Sequence, residues 1–242
     1  MKITRMKNKK QKIVIKLDNV WKIYDFGNSK VEVLKGLNLE VYSGEFLVIM
    51  GPSGAGKSTT MNMIGCLDIP THGKIYLDGI DISKLSDSEL ARLRGKKIGF
   101  VFQQFNLIQS LNALENVMLP MMFQNTPKSE RIERARELLE SVGLGRRLYH
   151  KPRELSGGEQ QRVAIARALA NNPEFILADE PIGNLDTKSG AAIIKLLEEL
   201  HDRGKTIVLV THDSRLTQHA NRTIYLIDGK FVDRETFEKY KF

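Results

Sequence analysis

Residues Gly51-Pro52-Ser53-Gly54-Ala55-Gly56-Lys57-Ser58 fit the pattern G-x-x-x-x-G-K-[ST], and they follow directly on the apolar run Phe46-Leu47-Val48-Ile49-Met50. Lys57 to Leu67, which comes next, reads as a helix. A buried strand, this loop and then a helix is the context in which the pattern has a mechanical meaning. The glycines let successive backbone N–H groups turn inward around phosphate oxygens, the helix start adds its positive end, and Lys57 adds a point charge near the β and γ phosphates. Ser58 is placed to ligate Mg²⁺, and Thr59 belongs to the same phosphate-binding turn. A chain built round such a unit has to be α/β.

Two more apolar runs, Phe175-Ile176-Leu177-Ala178 and Thr206-Ile207-Val208-Leu209-Val210, are continuous rather than alternating. That marks strands buried on both faces of a parallel sheet. In such sheets ligands collect at the carboxyl ends of the strands. The first run ends in Asp179-Glu180, and the second leads through Thr211 to His212. Asp179 would hold Mg²⁺ through water and Glu180 would polarise an attacking water, the two tasks that phosphoryl transfer to water leaves for carboxylates. Residues 13 to 45 alternate instead, with breaks at Gly27 and Gly36, which predicts antiparallel strands beside the main sheet. Residues 104–155 are helix-rich and strand-poor, with Ser129 to Val142 amphipathic, and read as a helical subdomain inserted into one core spanning 13–242.

The charge of +8 does not make the body basic: residues 2 to 12 hold six Lys or Arg and no acid, leaving about +2 for the rest. Residues 1–12 therefore read as a solvated, disordered basic tail, and no nucleic-acid partner is expected. Hydrophobic residues at 41% and charged residues at 27% exclude a disordered or fibrous chain. The longest uncharged apolar stretch, Val117 to Phe123, is far short of the roughly 20 residues of a membrane helix. No secretion signal is visible, and Cys66 is the only cysteine, so a reducing cytoplasm is the expected setting. Cys66, His72, His150, His201 and His219 are read as structural.

A second anion-binding feature stands far along the chain. Leu155-Ser156-Gly157-Gly158 precedes a strongly helical segment, Glu159 to Ala170. Ser156 caps it, and free N–H groups beside two glycines make its start a phosphate site in its own right. A simple kinase or GTPase needs only the first such site. The second makes sense if it completes the nucleotide site of another copy.

The phosphate loop, Leu155-Ser156-Gly157-Gly158-Glu159-Gln160, Ile176-Leu177-Ala178-Asp179-Glu180-Pro181, Asn184-Leu185-Asp186 and Thr211-His212-Asp213, in this order, resemble the ATP-binding cassette family over nearly the whole chain. Ile64-Gly65-Cys66-Leu67-Asp68 and the stretch Gly99 to Leu107 most resemble its macrolide-export and lipoprotein-release branch. The resemblance implies a P-loop NTPase core with a mixed, mainly parallel sheet, an N-terminal antiparallel β subdomain and an inserted helical subdomain. It also implies an ATPase subunit that powers an export-type membrane transporter and dimerises head to tail on binding ATP, each ATP sandwiched between one phosphate loop and the partner's Ser156-Gly157-Gly158-Glu159 segment. Tyr24 would stack on adenine, and Gln103 would sense Mg²⁺ and link the site to the helical subdomain. Asp186 would join the protomers, and His212 would contact the γ-phosphate. The branch usually has threonine where this chain has Ile182.

A separate integral membrane permease is the implied partner, holding the chain on the inner face of the cell membrane. Competing destinations for a single cassette are a membrane process without transport, such as mechanical signalling or cell division, and a soluble role on ribosomes or DNA. The apolar residues after Gln103, namely Phe105, Leu107, Ile108, Leu111, Leu114, Val117 and Leu119, outnumber what a small helical insertion needs for its own core. Some are expected to line a groove that docks a short permease helix.

Overall fold

The computed structural model describes residues 12–27 and 29–240. The expected basic tail lies outside the described residues except at Lys12, whose ammonium pairs with Asp78 and Glu174. The chain opens with two long antiparallel strands, β1 (Ile13–Asp25) and β2 (Lys30–Tyr42), then β3 (Phe46–Met50) and α1 (Lys57–Ile64). Next come β4 (His72–Leu77), β5 (Ile80–Asp81), α2 (Asp87–Lys97) and β6 (Ile98–Val101). A helical stretch holds α3 (Ala113–Met122), α4 (Lys128–Ser141) and α5 (Gly157–Leu169). The remainder is β7 (Phe175–Asp179), α6 (Thr187–Asp202), β8 (Thr206–Thr211), β9 (Arg222–Ile227), β10 (Lys230–Val232) and α7 (Arg234–Tyr240).

These strands make two sheets. One is antiparallel, in the order β2-β1-β4-β5; the other runs β10-β9-β3-β8-β7-β6 and is parallel except for its β10–β9 edge. The α/β core with a mainly parallel sheet and an antiparallel N-terminal sheet is as the sequence predicts. All three continuous apolar runs are central strands of the six-stranded sheet, and Phe46 to Met50 are buried throughout.

Because side chains alternate across a strand, the same short runs feed two cores. Phe46, Val48, Ile176, Ala178, Ile207 and Leu209 face α3, α4, α5 and α6. Leu47, Ile49, Phe175, Leu177, Val208 and Val210 face α1 and the antiparallel sheet. Polar caps set the helix starts on the first side. Asn112 and Glu115 cap α3 reciprocally, Ser156 and Glu159 do so for α5, and Asp186 caps α6. Each such cap contributes about 1 kcal/mol.

Gly36 differs from expectation: it lies inside an unbroken β2. With φ +71 it forms a kink against Asn19 and Trp21, where a Cβ would come within 3.0 Å of the Asn19 side chain. The glycine bends the strand rather than ending it.

Candidate active site

The phosphate loop leaves β3 at Gly51, so close to β9 that a Cβ there would sit 2.5 Å from the Leu226 carbonyl oxygen. Gly54 and Gly56 take φ of +79 and +97, which favours glycine. Pro52, Ser53 and Gly54 form an exposed rim, while Ala55 anchors the loop in the core. The Lys57 ammonium donates to the Pro52 carbonyl across the loop at 2.9 Å. Burial holds its pKa below the usual lysine value, opposed by the nearby charges of Glu180 and Asp179. Ser58 is exposed in the first turn of α1, and Thr59 is half-buried behind it.

Asp179 ends β7, and Glu180 follows at φ +44, a left-handed backbone that a non-glycine residue adopts only at a cost. Burial raises the Asp179 pKa, with the Glu180 charge adding to the effect and Lys57 opposing it. Such a carboxyl gains from a cation placed beside it. The Glu180 carboxylate is held from two sides. Its Oε2 accepts from Thr211 Oγ1 at 2.8 Å, and its Oε1 accepts from the His212 backbone N–H at 2.9 Å and meets His212 Nδ1 at 2.6 Å. Thr211 was given no role by sequence reasoning, although it stands at the end of a buried strand and within the Thr211-His212-Asp213 motif.

Gln103 is exposed, and its amide faces a single partner. Its Nε2 donates to Asn184 Oδ1 at 3.4 Å, and its carbonyl accepts from Asn184 Nδ2 at 3.0 Å. Asp186 accepts from the Ser189 backbone N–H as the cap of α6 and is otherwise exposed. Ile182, at the position departing from the branch pattern, packs over Gly190 near the start of α6. Tyr24 pairs with Val31, which shares a face of β2 with Val33, a neighbour of Gly56. The same hairpin thus holds Tyr24 and the Val33 that packs on the phosphate loop. The Tyr24 hydroxyl donates to Asp68, and Lys22 lies 5.0 Å from its ring centre.

The second helix start is well formed. Ser156 Oγ accepts from the Glu159 N–H, Glu159 accepts in return from the Ser156 N–H, and Arg147 pairs with Glu159 at 3.2 Å. The Glu159 carboxylate is thus committed within its own chain. A Cβ on Gly158 would come 2.8 Å from Ser189 Oγ, so α5 approaches α6 there more closely than a side chain allows. Yet α1 belongs to the core on one face of the six-stranded sheet and α5 to the core on the other. Lys57, Asp179, Glu180 and His212 gather round one phosphate loop, and the Ser156 helix start is not among them.

A groove lies between the helical insertion and the core as expected, but its lining differs. A groove of about 720 Å³ lies between α2, α3 and α5, walled by Phe100, Phe102, Leu119, Pro120 and Phe123. Leu107, Leu114 and Val117 are buried in the helical core, and Phe105 packs against that core, so of the expected seven only Leu119 lines the groove. The correction has a simple cause: α3 and α4 are short, and α3 needs its apolar face to meet α5.

The family described as ABC transporter matches residues 34–183. The chain belongs to the ABC transporter family. It is an ATPase of that family, whose ATP hydrolysis powers transport. An uncharacterized ABC transporter ATP-binding protein of Thermotoga maritima is 55% identical over 219 residues, covering 90% of this chain and 94% of its own. The macrolide export ATP-binding/permease protein MacB of Wolinella succinogenes is 50% identical over 225 residues, 93% of this chain but 35% of that larger protein. Among solved structures, the ATP-binding cassette MJ0796 of Methanocaldococcus jannaschii, a dimer in a post-hydrolysis state bound to ADP and Pi, matches with a TM-score of 0.84. It is 53% identical, with 90% of this chain and 97% of that one covered.

Proposed function

We propose that this ABC ATPase works as one half of a head-to-tail pair, each ATP closed between the phosphate loop of one copy and the Ser156-Gly157-Gly158 helix start of the other. The carrying observation is the placement of the two helix starts, α1 and α5, against cores on opposite faces of one sheet. The Ser156 helix start meets its own Glu159 and Phe105, Leu185 and Ser189 rather than the phosphate loop, and two chains facing each other would offer one start of each kind to every nucleotide. The dimeric, ADP- and Pi-bound state of the related cassette supports the same arrangement.

In this reading Gly51 to Ser58 with Thr59 wrap the phosphates, Tyr24 covers the adenine, and Asp186 meets the partner copy. Glu159 acts as the cap that shapes the second helix start. Ser58 and Asp179, with Gln103 approaching from the helical side, would hold Mg²⁺. The donors fit: hydroxyl, carboxylate and amide oxygens suit a hard cation that takes few protein ligands and fills its shell with phosphate and water. Mg²⁺, when bound, neutralises charge on the β and γ phosphates. Glu180 accepts a proton from the attacking water. Its carboxylate is oriented by Thr211 Oγ1 and by His212, which also faces the γ-phosphate.

Among the described residues no helix is long and apolar enough to cross a membrane. The membrane partner is a separately encoded permease, which keeps this chain at the cytoplasmic face, and the groove between α2, α3 and α5 receives one of its helices. The likeness to a macrolide-export protein favours an exporter. Two results are expected. Lys57→Ala removes the cation nearest the phosphates while leaving the core untouched, so ATP affinity measured by calorimetry falls by about 10- to 100-fold, as for loss of a charge-assisted bond, with folding retained. Leu119→Asp places a charge on the groove wall, so co-purification with the permease is lost while ATP turnover of the free protein stays near normal. Intact co-purification of that variant would remove the groove from the docking role.

A further inference from the structure

The groove has a polarity that its apolar walls conceal. Three arginines, Arg92, Arg94 and Arg167, line it, and none of its lining residues is Asp or Glu. Among the described residues no carboxylate forms an ion pair with any of the three, and only Glu89, one turn back on α2, lies within electrostatic reach of Arg92. Arg94 donates to the Cys66 carbonyl at 2.9 Å. Arg167 donates to the carbonyls of Phe105 and Asn106 and lies deep enough that burial pulls its pKa down. Arginine stays protonated in proteins. A guanidinium half-buried beside apolar walls is costly when only neutral carbonyls meet it, and a carboxylate entering the groove recovers that cost.

We propose that the groove selects a helix carrying a carboxylate on its apolar face, which seats that acid among Arg92, Arg94 and Arg167. The proposal rests on reading the groove as the permease dock and goes further, naming the charge that the permease must bring. The geometry also gives the acid a route to the nucleotide. Phe105 and Asn106 both adopt left-handed backbone, at φ of +54 and +51, and stand just beyond Gln103. Arg167 holds both of their carbonyls. A carboxylate drawn to Arg167 thus acts on the side chain that fixes the path of the segment leading to Gln103, so seating of the partner helix and placement of Gln103 are linked through one guanidinium.

The test uses the full chain co-expressed with its cognate permease. Arg92→Glu and Arg94→Glu are compared with Leu119→Asp for co-purification, with melting temperature as the control for folding. Arg92 is exposed, and among the described residues its side chain makes no hydrogen bond or ion pair, only a long-range attraction to Glu89 on the same helix face, so its variant should melt close to the parent. The expected result is at least a 10-fold loss of co-purified permease for Arg92→Glu, restored when one cytoplasmic Asp or Glu of the permease is changed to Arg. If both arginine variants co-purify normally while Leu119→Asp does not, the acid is refuted and the groove remains the dock. Normal co-purification by all three variants refutes both readings. Loss that no acidic position of the permease can rescue, or a change in self-association of the free chain, also overturns the proposal.

Discussion

Glu180→Gln should bind ATP as the parent chain does and hydrolyse it about 100- to 10,000-fold more slowly, the range that a positioned general base contributes. The substitution fits the observed surroundings. Oε1 can still accept from the His212 backbone N–H, and the new amide N–H can donate to Thr211 Oγ1, which is free to rotate. The left-handed turn at residue 180 and the end of β7 are unaffected, so stability should change little. What disappears is the negative charge that would draw a proton from water. If nucleotide holds the two copies together and hydrolysis lets them part, as proposed above, the variant should accumulate as an ATP-bound dimer. Turnover assays alongside light scattering with saturating ATP check both halves: near-normal turnover would take Glu180 out of catalysis, and a persistent monomer would count against the shared site.

Ser156→Arg should abolish turnover while leaving ATP binding by the isolated monomer nearly intact. Ser156 is exposed at the start of α5, so an arginine is accommodated in the monomer and obstructs only what approaches from outside. The variant also loses a cap, at a cost of about 0.5–2 kcal/mol, and Ser156→Asp separates the two effects. Aspartate caps a helix as well as serine does, but it sets a negative charge where a phosphate is to sit. Both variants should be inactive, and Ser156→Asp should keep the parent melting temperature. Loss of ATP binding by either monomer would show that the two helix starts serve one nucleotide within one chain.

The site was legible in the sequence to the extent that its chemistry is local. A phosphate loop needs glycines at fixed offsets from a lysine, and a cap needs Ser just ahead of a helix, so Gly54, Gly56, Lys57 and Ser156 could be singled out by spacing, whereas Asp186 entered only through the family resemblance and its capping of α6 came from the structure. Thr211 was passed over because its hydroxyl matters only through Glu180, which the parallel pairing of β7 with β8 brings alongside it. Asn184 stood within a recognised motif, but its reciprocal bonds to Gln103 join segments distant in the chain. The groove was misassigned for a related reason. A count of apolar residues cannot separate those that α3 spends against α5 from those left on the surface.

By itself the sequence determined the three buried strands β3, β7 and β8, the helices that follow the first two, the antiparallel start of the chain and the glycine-rich turns ahead of α1 and α5, because hydrophobic period, glycine placement and caps act within a few residues of one another. Only the tertiary structure decided that the two helix starts lie against opposite faces of one sheet, that Thr211 and His212 close on Glu180, and that three arginines share a groove without a carboxylate. Each of these depends on which side chains the alternation of a buried strand sends to which face, and on how closely packed helices approach. Those are properties of the assembled core, which no short stretch of the chain contains.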